Sequence, residues 1–143
     1  PAGPAGRRVS ATPDPAAAVD TDDAVELTLP AEARHLRLVR LAASGFTADL
    51  GAAIEDVDDL RLAVGEACAL LVEHAPTGSR LTVTYRHDGA EVVVEGRSPA
   101  DPDDPVHVDP VAEAVLGNTV DRFTVTSDGR HNRFAIHTRL PRS

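Results

Sequence analysis

Hydrophobic and polar residues alternate from Val25 to Leu29, with the two-residue period of a half-buried β-strand. Pro30 lacks the backbone donor that a strand interior needs, so we expect the strand to end there. From Ala31 to about Ala48 the apolar positions recur every three or four residues, which predicts an amphipathic helix. Its apolar side consists of Leu36, Val39, Ala43 and Phe46. Its exposed side is expected to carry Arg34, Arg37 and Arg40.

A second helix is predicted to start near Ile54, after the helix-breaking Gly51. Acidic residues fill its first turns, where the helix dipole favours negative charge. They are Glu55, Asp56, Asp58 and Asp59. The apolar series that follows is Val57, Leu60, Val64, Ala67 and Leu71. Pro76 and Gly78 are expected to end this helix.

The second half of the chain has the patterns of two β-hairpins. Asp88-Gly89 and Asp128-Gly129 are turn signals, each between two β-rich runs. The predicted strands are 81–85, 91–94, 123–126 and 134–139. A loop rich in proline and aspartate is expected from Ser98 to Pro110, and a short helix from about Val111 to Leu116.

This order of elements predicts an α+β fold. Strand, helix, helix, strand, strand, helix, strand, strand is typical of a two-layer α/β sandwich, in which helices cover one face of an antiparallel sheet. We assign the domain to residues 24–141. Residues 1–23 are rich in proline, alanine and glycine and have no apolar period, so we expect a flexible tail there.

Composition narrows the function classes. The 143 residues and 42% hydrophobic content suit one domain with a real core. The formal net charge of -9 argues against a nucleic-acid partner, because phosphates require a basic face. A single cysteine suits a reducing cytosol, and no apolar run is long enough to cross a bilayer. We therefore expect a cytoplasmic protein that binds other proteins and not a membrane.

Two segments give the chain a family resemblance. Leu60–Ala75, the arginine-bearing segment Leu36–Leu41 and the order of elements resemble the RsbW-type anti-sigma factors, which are serine kinases with the histidine-kinase-like (GHKL, Bergerat) ATPase fold. The resemblance covers about Val25 to Arg139. It implies that the chain binds a sigma factor, that a STAS-type anti-anti-sigma protein displaces that factor, and that a homodimer forms.

The helix Leu60–Ala75 carries only half of the family's catalytic pair. Glu66 matches the general base, but Leu70 stands where the family has the asparagine that holds magnesium. The two positions are four residues apart and so lie on one helix face. A leucine cannot coordinate a hard cation.

Two further parts of the family's nucleotide site are incomplete. The strand-end aspartate that recognises adenine, followed by Gly-x-Gly, is replaced by Val94-Glu95-Gly96-Arg97-Ser98, where Glu95 has an extra methylene. The glycine-rich phosphate lid is reduced to Gly117 within residues 111–120. We therefore expect no nucleotide-binding residues and no cofactor. The alternative is an active serine kinase that uses magnesium-ATP with Glu66 as its catalytic base, and a third possibility is a pocket reused for another small molecule.

The chain does contain residues that match the family's partner-binding pattern. The family contacts its sigma factor through an arginine six residues before a phenylalanine, a pattern that Arg40 and Phe46 match. We predict Arg40 as a partner contact and Arg37 as a second one, because arginine forms forked bonds to carboxylates. The competing interpretation is a solvated helix face.

Other reactive side chains have simpler interpretations. Cys68 is expected to be a small core residue, and His74 to meet the dipole at the end of the second helix. The six histidines show no ligand spacing, so no metal site is expected. The aspartates of residues 101–105 are expected to form a solvated, mutually repelling loop.

Overall fold

The computed structural model describes residues 23–141. The predicted tail lies outside the described residues, apart from Asp23. The five strands are β1 (Val25–Pro30), β2 (Arg80–Asp88), β3 (Glu91–Pro99), β4 (Arg122–Ser127) and β5 (His131–Arg139). The three α-helices are α1 (Leu36–Asp49), α2 (Ile54–Glu73) and α3 (Pro110–Thr119), and a single 3₁₀ turn, Ala33–His35, precedes α1.

The predicted elements are all present, with differences at their ends. The first helix is regular only from Leu36, because its first residues form the 3₁₀ turn. Strand β3 continues to Pro99, so Ser98 and Pro99 belong to the sheet and not to the predicted loop. Pairing with β5 holds this end of β3 in place, a long-range contact that the local pattern does not contain. Helix α3 is longer than predicted at both ends.

The sheet is antiparallel throughout, in the order β1-β2-β3-β5-β4. Helices cover one face, as predicted, and α2 contacts both β3 and β5. We call the covered side the helix face and the opposite side the open face. Because side chains alternate along a strand, each strand sends every second residue to the helix face.

The core lies between the helices and the helix face of the sheet. Leu81, Val83 and Tyr85 of β2 are completely buried there, as are Val39 and Ala43 of α1. The hydroxyl of Tyr85 donates a hydrogen bond to the backbone carbonyl of Val39 (2.8 Å), which joins the sheet to α1. Within residues 23–141 no helix is both long enough and apolar enough to cross a membrane.

The aspartate-rich segment between β3 and α3 is fixed to the end of α2. His74 caps α2, is buried, and contacts Asp104 through Nδ1 and Oδ1 (3.0 Å). The ring of His107 packs edge-on against that of His74. The segment is solvated, as expected, but it is also anchored, so His74 does more than meet the helix dipole.

Candidate functional site

Glu66 and Leu70 lie one turn apart on α2, as the sequence implied. Glu66 is half-buried, whereas Leu70 is only 3% exposed. The position that the resemblance assigns to a magnesium ligand is therefore occupied by a buried hydrocarbon side chain. It offers no oxygen to a hard cation.

Gly96 occupies the helix face of β3 near the predicted adenine position. Its register partner on β5 is Phe134, which is also buried. The Phe134 ring lies directly over Gly96: a Cβ built on the glycine would be 2.1 Å from Phe134 Cε2. No side chain larger than hydrogen fits at position 96 unless the ring moves.

Glu95 points away from the helices. It lies on the open face, where it forms an ion pair with Arg86 of the neighbouring strand. Strand alternation separates Glu95 from the side of the sheet that faces α2. Glu95 is thus on the opposite side of the sheet from α2, which carries Glu66 and Leu70.

Gly117 lies inside helix α3 and not in a loop. The helix begins at Pro110, and the Asp109 carboxylate accepts a hydrogen bond from the Ala112 amide (2.8 Å). Asp109 and Pro110 are both favourable at a helix start. The segment predicted to retain one lid glycine is therefore regular helix, whose internal amides are used by the helix itself.

Arg40 packs against Gly65 of α2. A Cβ at position 65 would lie 2.9 Å from Arg40 Cδ, so the arginine stem runs along the helix backbone where a side chain is missing. Arg40 is consequently half-buried, whereas the sequence predicted an exposed side chain. Arg37 is exposed, as predicted.

Arg40 and Arg37 meet in a groove between α1 and α2, with a cavity volume of about 590 Å³. We call it the α1–α2 groove. Its lining consists of Arg37, Arg40, Leu41, Asp58, Asp59, Arg61 and Leu62. Two of these are apolar and solvent-exposed, Leu41 at 64% and Leu62 at 50%. Neither Arg37 nor Arg40 forms an ion pair within residues 23–141.

Cys68 is completely buried, as expected for a core residue. Burial raises the pKa of its thiol far above the usual range, and the nearby Arg40 charge only partly opposes this effect. The sequence showed no basic neighbour, because Arg40 reaches Cys68 from another helix. Among residues 23–141, no group of three or more His, Cys, Asp or Glu side chains could hold a metal ion.

A family model, "Histidine kinase-like ATPase domain", matches residues 29–133. The chain belongs to this family. A serine-protein kinase RsbW of Bacillus pumilus is 37% identical over 59 residues, which are 41% of this chain and 36% of that protein. The RsbW of Halalkalibacterium halodurans is 33% identical over 79 residues, or 53% of this chain and 49% of that protein. The chain thus matches between about a third and a half of the length of these curated relatives.

A solved structure has the same fold. The crystal structure of the RsbU and RsbW domains of a Mycobacterium tuberculosis protein superposes with a TM-score of 0.62 at 20% sequence identity. The match covers 82% of this chain and 32% of that one. Together with the family model and the relatives, it confirms the predicted RsbW-type resemblance and the histidine-kinase-like fold.

Sequence reasoning missed two residues of the α1–α2 groove, and also the glycine against which Arg40 packs. Leu41 and Leu62 lie outside the apolar series of their helices, and this mismatch with the helical period was the available signal. Gly65 also had a signal, since a glycine inside a helix usually has a packing reason. The sequence did not reveal that the reason was Arg40.

Replacing Gly96 with alanine tests the packing of Phe134. The new Cβ would overlap the ring, so we expect the free energy of unfolding to fall by about 1–3 kcal/mol. Urea denaturation of the variant and the original protein measures the change.

Gly117→Ala is the matched control, because an added Cβ at position 117 meets no atom within 4 Å. Alanine is the better helix former, so this variant should be more stable by about 0.5–1 kcal/mol. Equal stability of Gly96→Ala and the original protein would mean that Phe134 does not fill the space above Gly96.

Proposed function

We propose that this chain is an anti-sigma factor that sequesters an RNA polymerase sigma factor by direct binding, within a partner-switching system and without kinase activity. A STAS-type anti-anti-sigma protein is the proposed competitor for the same surface. The observation that carries the proposal is the α1–α2 groove. It combines exposed leucines with two arginines that have no ion-pair partner within residues 23–141.

The chemistry of the groove suits a helix of a protein partner. Exposed leucines beside polar residues are typical of protein–protein contacts, where apolar area contributes affinity. Arginine is enriched among the residues that dominate binding energy, and its fork matches a carboxylate. Arg40 is held in place by Gly65, so less side-chain entropy is lost when a partner binds. The partner is expected to present leucine-sized apolar residues and at least one carboxylate to this groove.

Three features support a protein without kinase activity. Leu70 is buried at the predicted magnesium position, Glu95 at the predicted adenine position lies on the open face, and Gly117 lies within a helix. Phosphoryl transfer depends almost entirely on positioning and on the electrostatics of the metal. At each of these three positions the chain differs from what that machinery is expected to need.

An active serine kinase remains the second candidate, and the observation that favours it is Glu66. This carboxylate is present and half-buried on α2, where the family has its general base. Under that candidate function, a co-purified partner protein would accept phosphate from magnesium-ATP. The transfer would be lost in Glu66→Ala.

Arg40→Glu tests the proposed contact. Reversing the charge should weaken binding of the sigma factor by about 2–5 kcal/mol, because a partly buried charge contact is lost and a repulsion replaces it. Titration calorimetry with the sigma factor that co-purifies from the native host measures the change.

Arg34→Glu is the control for this measurement. It makes the same change in charge on the 3₁₀ turn before α1, and Arg34 does not line the groove. Affinity should change little in this variant, as is usual for an exposed surface charge. If Arg40→Glu bound as tightly as Arg34→Glu, the contact surface would lie elsewhere.

Gly65→Ala tests whether the position of Arg40 matters as well as its charge. The added Cβ would displace the arginine stem, so we expect weaker sigma-factor binding with the charge unchanged. Stability should not fall by more than about 1 kcal/mol, because alanine favours the helix by about that amount. Calorimetry and urea denaturation of the same sample separate the two effects, and unchanged affinity would contradict a positioning role.

A further inference from the structure

The open face of the sheet carries an ordered row of side chains across all five strands. Register places Thr28 opposite Thr82, Thr82 opposite Arg97, Arg97 opposite Arg133, and Arg133 opposite Thr126. The next row along the strands includes Thr84, Glu95, Ala135 and Thr124. Apart from Thr28, the residues of these two rows line a shallow trough with a cavity volume of about 280 Å³. No helix of the described chain covers it.

Arg97 and Arg133 face each other directly across β3 and β5. Two like charges at opposite positions of an antiparallel pair repel each other and reduce stability. A ligand with negative oxygens would turn this repulsion into a favourable contact, because each guanidinium can bind an oxyanion through two parallel hydrogen bonds.

The other charged side chains at the trough are paired with each other or with neighbouring residues, and not with Arg97. Arg133 donates to the Asp128 carboxylate (3.1 Å) in the adjoining turn. The only acidic residue in the lining is Glu95, and it is already paired with Arg86. Arg97 makes no ion pair within residues 23–141. The net charge of these five side chains is therefore +1 (Arg86, Glu95, Arg97, Asp128 and Arg133). The formal net charge of the whole protein is -9.

Threonine hydroxyls complete the polar lining. Thr82, Thr84, Thr124 and Thr126 surround the arginines, and a hydroxyl can donate one hydrogen bond to an oxyanion. Ala135 and Gly96, which have small side chains or none, also line the trough. The small volume fits a phosphate or carboxylate group with a few further atoms, near the lower limit for ligand pockets.

We propose that this trough binds a small oxyanion-bearing molecule, a phosphorylated or carboxylated metabolite, through Arg97 and Arg133 with the threonine hydroxyls as additional donors. The site lies on the opposite side of the sheet from the α1–α2 groove. It is independent of the proposed sigma-factor contact.

The test is a titration of the ¹⁵N-labelled full chain with inorganic phosphate, followed by backbone amide chemical shifts. A parallel titration uses succinate, and sodium chloride at matched ionic strength corrects for screening. We expect saturable shifts centred on β3 and β5 around Arg97 and Arg133. A stronger response to phosphate assigns a phosphorylated ligand, and a stronger response to succinate assigns a carboxylated one.

Substitutions on the open face test whether anion binding depends on Arg97. Arg97→Thr should raise the dissociation constant at least about tenfold, as expected for the loss of a forked charged contact. Arg97→Lys should give an intermediate value, because it keeps the charge but loses the fork. Arg122→Thr is the control on the same face: it removes an equal charge outside the trough and should change the constant less than about twofold.

The melting temperature of the free protein supplies a second readout. Arg97→Thr should not lower it, because the substitution removes a repulsion between opposed arginines. The proposal is overturned if the phosphate and succinate shifts equal those from sodium chloride, or if Arg97→Thr binds as well as the original protein. Loss of binding in Arg40→Glu but not in Arg97→Thr would likewise overturn it, since the anion would then bind in the groove.

Discussion

The side-chain alternation of β3 is the constraint on which the two faces of this protein depend. Gly96 must face the helices, because Phe134 packs over it with no room for a Cβ. Its neighbours Glu95 and Arg97 must then face the other way. One packing contact therefore places Glu95, which matches the family's adenine ligand, on the open face together with Arg97. A shift of β3 by one residue would turn both side chains to the helix face.

Helix α2 contributes to the proposed partner surface and also carries the predicted magnesium position. Gly65, on the side toward α1, packs against the stem of Arg40, which lines the groove. Leu70, five residues later, is buried where the family has its magnesium ligand. The helix packs against β3 and β5, and the chain matches the family model although these residues differ. Function belongs to sites on the fold and not to the fold itself, which is why we propose partner binding and not catalysis.

Local patterns in the sequence predicted the elements and their layers, because helical and strand periods are set by which face is buried. What they could not give were contacts between distant segments. The last two residues of β3 are strand because β5 pairs with them. Arg40 is half-buried because its stem packs against Gly65, which lies 25 positions away and has no side chain. Asp104 is anchored by a contact with His74, which lies 30 residues before it. Glu95 matches an aspartate by its place in the motif. The motif alone does not show the strand alternation that places Glu95 on the open face.

The central proposal is that the chain lacks the side chains through which the family resemblance implies nucleotide binding. Titration calorimetry of the full chain with magnesium-ATP tests it most directly. The account predicts no saturable heat up to about millimolar nucleotide, the level at which binding free energy falls to about 4 kcal/mol. One-to-one binding with a micromolar dissociation constant would contradict it, because nucleotide would then bind despite Leu70 at the magnesium position and Glu95 on the open face.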